Sequence, residues 1–156
     1  MATEDPLLRF VTPLKGTRAK VAAVLSDMAG AGFQPFIAQA LRTPSEEAAH
    51  VANGTSQTMN SQHLAGPDGL SRAADVVDHR WGWSPPADSH YWLYLGRCAL
   101  LHGLGWGGLF NLKEPYRQKL VDFLTDNSTP FHPANWMDSR LGFDPAHLQQ
   151  IQDVTP

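Results

Sequence analysis

The sequence predicts an α+β fold, and three observations carry that expectation. Residues 18–30 place Val21, Val24, Leu25 and Met28 at i, i+3, i+4 and i+7, one apolar stripe of a helix. Two short apolar segments, around Phe36–Ile37 and Ala73–Val77, have the length and β-branched content of strands. Residues 90–102 are apolar on most sides, as a buried helix would be.

The first helix has Thr17 as a candidate cap, and Gly30 and Gly32 as stop signals. In the strand that follows, Pro35 argues for an edge position or a late start, because proline cannot donate to a ladder. Thr43-Pro44-Ser45-Glu46 is a capping box with proline in the first turn, predicting a helix to about Ala52 that stops at Gly54. Arg42 then lies at a strand-to-helix junction, where side chains project into clefts. Residues 54–72 read as loop, and 79–88 as a Trp- and Pro-rich loop. Asp88 or Ser89 could cap the helix over 90–102. Residues 103–108 read as a glycine-rich turn. Tyr116, Leu120, Phe123 and Leu124 mark another helix, and the chain then reads as irregular until 147–151.

Length and composition narrow the function. A chain of 156 residues fits one domain, and no repeat or linker divides it. Charged residues make up 17%, and the net charge is −3, which argues against an extended nucleic-acid footprint. No apolar run approaches a membrane helix, and the N-terminus lacks a secretory signal pattern. A single cysteine, Cys98, rules out an internal disulfide and any zinc site built on several cysteines. Lying in an apolar helix, it reads as a small buried hydrophobe. The tryptophans read as core, although Trp81 or Trp83 could line a groove.

Seven histidines in a weakly charged chain direct attention to imidazole chemistry. The polar residues worth weighing are Arg42, His63, Asp75, Asp78, His79, His132, Asp144 and His147. A catalytic zinc site takes three protein ligands from His and carboxylate and leaves a fourth position open. It also needs a carboxylate to receive a proton from water and a cation for the developing oxyanion. These residues supply each of those groups.

Their arrangement is more specific than their number. Ser61-Gln-His63-Leu-Ala-Gly66, followed by Ala73-Ala-Asp75, resembles the Ser-x-His-x-x-Gly-x-Ala-x-Asp signature of the zinc D,D-/L,D-peptidases of peptidoglycan. That family contains D-alanyl-D-alanine carboxypeptidases and dipeptidases and the L-alanyl-D-glutamate endopeptidases of phage lysins. Arg42-Thr-Pro-Ser-Glu46 is similar to the Arg-Thr-x-x-Glu stretch upstream. Phe143-Asp144-Pro-Ala-His147-Leu-Gln149 resembles the closing acid-x-x-His-Phe/Leu-Glu/Gln element, and Trp106-Gly-Gly108 is similar to a Trp-Gly-Gly of the phage-type members. The likeness spans roughly residues 18–150, with the motifs in the family's order.

The resemblance implies a small, mostly antiparallel sheet with helices packed on one side and a metal site in a cleft along the sheet. It implies Zn²⁺ held by His63, Asp75 and His147, with Asp144 as general base. Arg42 would face the substrate carbonyl or oxyanion, and Ser61 would bond the peptide backbone. The family places its Asp seven positions after the first His, where this chain has Leu70. Asp75 therefore requires an insertion near residues 67–71, and Asp68 and Asp78 are rival ligands. Asp75 is preferred to Asp68 because a strand fixes a carboxylate, whereas Pro-Asp-Gly is a turn. His132 is the rival to His147, but position 129 is Thr rather than an acid. A further insertion separates Gly108 from Asp144, and Leu109 stands where phage-type members often carry an acid.

The expected function is hydrolysis of a peptidoglycan stem peptide by a single-domain, monomeric, endolysin-like enzyme. It would accumulate in the cytoplasm and reach the wall once the inner membrane is breached. L-alanyl-D-glutamate is the expected bond, and a D-alanyl or crosslink bond is the alternative. A wall-binding virion module without catalysis is the alternative from another class, and an intracellular dipeptidase a third.

Overall fold

A computed structural model describes residues 17–39, 73–136 and 140–150. Within these residues the elements run α1 (Thr17–Gly30), β1 (Pro35–Gln39), β2 (Ala73–Asp78), α2 (Tyr91–Leu101), β3 (Leu104–Trp106), α3 (Tyr116–Thr125) and β4 (His147–Gln150). The four strands form one antiparallel sheet in the order β1-β2-β4-β3. The α+β class and the antiparallel sheet are as the sequence predicts. Pro35 opens β1, and β1 stands at an edge among the described strands, consistent with the missing amide donor. The capping box at residues 43–46 lies outside the described residues.

Side-chain alternation gives the sheet two distinct faces. Ala74, Val76, Leu104, Trp106 and Leu148 point into the core with Val21, Val24 and Met28 of α1 and Leu93, Leu95 and Ala99 of α2. Three of the four predicted stripe positions of α1, at 21, 24 and 28, are buried, and the fourth, Leu25, packs at their margin. Tyr91 ties α2 to the sheet by donating its hydroxyl to the Val76 carbonyl at 3.1 Å. The other face carries Asp75, His147 and Gln149.

Two local expectations change. Residues 104–106 are a strand, not a turn: Gly105 sits opposite Gln149, and its hydrogen bonds to β4 outweigh the low strand preference of glycine. The N-cap of α2 is His90, in the left-handed region at φ 53°, and its own side chain makes no capping bond. Ser89 contributes from one residue earlier, accepting from the Tyr91 amide at 3.3 Å.

The segment between β3 and β4 contains the helix predicted around residues 116–124. Its helix α3 buries Leu120 and Leu124, and Phe123 packs against Phe131 and Trp136. Arg97 of α2 closes the end of α3, donating to the carbonyls of Leu124 and Asp126 at 2.8 and 3.1 Å. A guanidinium there satisfies carbonyls that the helix leaves open. Among the described residues, no helix is long and apolar enough to cross a membrane.

Candidate metal centre

Asp75 stands at the middle of β2, directly across the ladder from His147 at the start of β4. Cross-strand partners share a face, so both side chains leave the sheet on the side opposite α1 and α2. Asp144 arrives by a different route. Asp144-Pro145-Ala146-His147 is a four-residue turn closed by the His147 amide on the Asp144 carbonyl at 3.1 Å. Aspartate at the first position and proline at the second are the residues such a turn favours.

The turn is fastened on two sides. Trp106 donates its indole N–H to the Pro145 carbonyl at 2.7 Å, and the Val76 amide donates to the Ala146 carbonyl at 2.9 Å. Gly107 leaves room for it: a Cβ there would fall 1.9 Å from the Asp144 carbonyl oxygen and 2.9 Å from His147 Cβ. The Trp-Gly-Gly motif thus shapes the wall against which the Asp-x-x-His turn rests.

Asp75, Asp144 and His147 each offer one ligand atom, and these atoms lie within 4.8 Å of one another. His147 Nδ1 is 3.5 Å from Asp75 Oδ1 and 3.5 Å from Asp144 Oδ2. A charge-assisted N–H···O bond is shorter, about 2.7–2.9 Å. Ligand bonds of about 2.0–2.2 Å in a tetrahedral site separate donor atoms by about 3.3–3.6 Å, so the spacing suits ligands around one ion. The donor set of imidazole and carboxylates also suits Zn²⁺. These residues can hold a metal ion.

Exposure separates the two carboxylates. The Asp75 side chain is 2% exposed and His147 5%, whereas Asp144 is 30% exposed. Burial of the His147 ring works against its protonation. Asp75, Asp144 and the Gln149 side chain outweigh that effect and hold the imidazole pKa above its ordinary value. Phe110 packs beside the imidazole at 5.4 Å between ring centres, and Phe143, half exposed, packs on Phe110 at 5.7 Å. The two rings form an aromatic wall at one side of the cluster.

Of the residues singled out in the sequence, Asp75, Asp144 and His147 are brought together. Arg42, Ser61 and His63 lie outside the described residues, as does Asp68. The rival Asp78 is on the core-facing side of β2, with its carboxylate engaged elsewhere. It accepts from the Gln34 amide at 2.8 Å, the Arg80 amide at 2.9 Å, and Arg80 Nε and Nη2 at 2.9 and 2.8 Å. Arg80 holds that carboxyl well below the usual range. His132 is exposed and stands outside the cluster. His79 stacks on Phe36, and His102 pairs with Asp27, which gives both structural roles. Trp106 is core, whereas Trp83 is exposed.

Gln149 stands in the closing motif read from the sequence, but no role is assigned to it there. Its Oε1 lies 2.8 Å from His147 Nε2. The signal was present, because residues 147 and 149 of one strand must share a face.

No protein-family model matches the chain, and no curated relative is found by sequence. Among solved structures, the chain is similar to the L-Ala D-Glu endopeptidase ChiX of Serratia marcescens. The TM-score is 0.52 at 19% identity, and the match covers 94% of this chain and 84% of that one. The chain shares the fold of that endopeptidase.

Proposed function

We propose that this chain is a zinc-dependent peptidoglycan peptidase that hydrolyses an amide bond of the stem peptide, with L-alanyl-D-glutamate as the first choice of bond. The observation that carries this reading is the Asp75–His147–Asp144 cluster, placed on a fold shared with a solved L-Ala D-Glu endopeptidase.

Asp75 and His147 would hold the ion, joined by His63 as the third ligand. When bound, Zn²⁺ supplies Lewis acidity to the scissile carbonyl and lowers the pKa of the attacking water towards ~7. Asp144 takes the proton of that water as general base and returns it to the leaving amine, so that proton and electron pair depart together. Its partial exposure supports this role, since a base must meet both water and substrate, whereas buried Asp75 suits a ligand. Arg42 is assigned to the substrate carbonyl and the developing oxyanion. Ser61 is assigned to the substrate backbone.

The test is digestion of purified peptidoglycan by the zinc-loaded protein, with new termini identified by mass spectrometry, repeated after chelation. New L-alanine C-termini with D-glutamate N-termini, lost on chelation, are expected. New D-alanine C-termini would move the reading to a D-alanyl peptidase. Intact peptidoglycan beside a zinc-loaded protein would leave a wall-binding module.

A further inference from the structure

His147 has two ring nitrogens, and they face different partners. Nδ1 points to the carboxylates of Asp75 and Asp144, each at 3.5 Å. Nε2 lies 2.8 Å from Gln149 Oε1. The Gln149 side chain pairs with Nε2, and Nε2–H donated to its carbonyl oxygen is the arrangement that leaves Nδ1 to the carboxylates. An ion bound among these carboxylates would take the place of a proton at Nδ1, with Nε2–H kept on Gln149.

The side chain that makes this bond is itself placed by the sheet. Gln149 is two residues beyond His147 on β4 and pairs with Ala73 and Gly105 on its two sides. A Cβ on Gly105 would lie 3.2 Å from Gln149 Cγ, so the missing side chain there gives the glutamine its seat.

We infer that Gln149 is a positioning residue that commits His147 to metal ligation through Nδ1. It touches neither ion nor substrate. It orients the ring and fixes its tautomer, the task that partners behind metal-bound histidines perform. The inference rests on the metallopeptidase reading above and adds to it the nitrogen used and the residue that selects it.

The test compares the parent chain with Q149L and Q149E. Zinc affinity is measured by competition with a chromophoric chelator. The ligating nitrogen is read from ¹⁵N spectra of the His147 ring in protein loaded with ¹¹³Cd. In the parent, coupling to cadmium at Nδ1 and a proton on Nε2 are expected. Q149L is expected to bind zinc about 10- to 100-fold more weakly. Q149E keeps an acceptor in place and is expected to restore most of that affinity. Melting of the metal-free proteins checks that folding is retained. If Q149L does not fold, the parent spectrum and Q149E carry the test. Parent-like affinity in Q149L, or ligation through Nε2 in the parent, would overturn the inference and leave the metallopeptidase reading standing. A parent chain that takes up no zinc would overturn both.

Discussion

Asp75 and His147 are register partners across the β2–β4 ladder, so the sheet itself sets the 3.5 Å between carboxylate and imidazole. Asp144 reaches the same nitrogen at the same distance from a turn rather than a strand. The cluster is therefore built from one rigid pair and one group at the end of a short turn. Under the proposed function, ligation and proton transfer divide along that line.

The division gives the first prediction. Asp75→Asn removes a charged donor from the rigid pair and is expected to weaken zinc binding severely. Asp144→Asn is expected to keep zinc while hydrolysis falls by roughly 10²- to 10⁴-fold, the scale of a lost general base. Zinc content by elemental analysis, measured beside peptide hydrolysis, separates the two. Zinc loss in Asp144→Asn would make Asp144 a ligand instead.

Gly107 is where the Trp-Gly-Gly segment meets the Asp144–His147 turn. Gly107→Ala places a methyl against a backbone carbonyl oxygen, which cannot rotate away. The turn must shift or the segment must bend, at a cost of about 1–3 kcal/mol. A lowered melting temperature together with weaker zinc binding is expected. Gly96→Ala is the comparison: its Cβ would meet the buried Trp106 ring at 2.6 Å, so it should cost stability with a smaller effect on zinc.

Much of this arrangement was legible before any coordinates. Valines at 21 and 24 with Met28 define the buried stripe of α1 because helical periodicity survives in an isolated sequence. Asp75 is placed on a strand by its Ala-Ala-Asp-Val-Val context, and β2 carries it. The strand at 104–106 was hidden, since it is three residues long and glycine-rich, and its pairing with β4 is decided some forty residues away. The role of Asp78 was hidden for a similar reason. Its partner Gln34 is 44 residues distant in the chain, so no local pattern shows the amide that its carboxylate meets.

Asp78 also sets an acid limit. Its folded-state pKa is depressed, chiefly by its bonds to Arg80, from an ordinary value of 3.8. Its contribution to stability is present above that ordinary value and is lost as pH falls towards the folded pKa. Asp78→Asn, which turns an amide N–H₂ towards donors, is expected to lose about 1.5–3 kcal/mol at neutral pH. Thermal melting from pH 6 to pH 2 should decline for the parent and flatten for the variant. Parallel curves would assign the acid sensitivity to other carboxylates.

Cys98 lies on α2 within the core, 9% exposed, and burial pushes its thiol pKa up to about 11. The thiolate is the reactive form, so at pH 8 both access and ionisation oppose alkylation. Little labelling of the folded protein by iodoacetamide is expected, and complete labelling in denaturant. In the folded state the labelling rate should follow the opening of α2 from α1 and the sheet. Gly96→Ala weakens the seat of α2 on Trp106 and is expected to speed labelling, with no direct change at the thiol. Rapid alkylation of the parent at pH 8 would show instead that α2 opens readily, and that its packing on the sheet contributes little to stability.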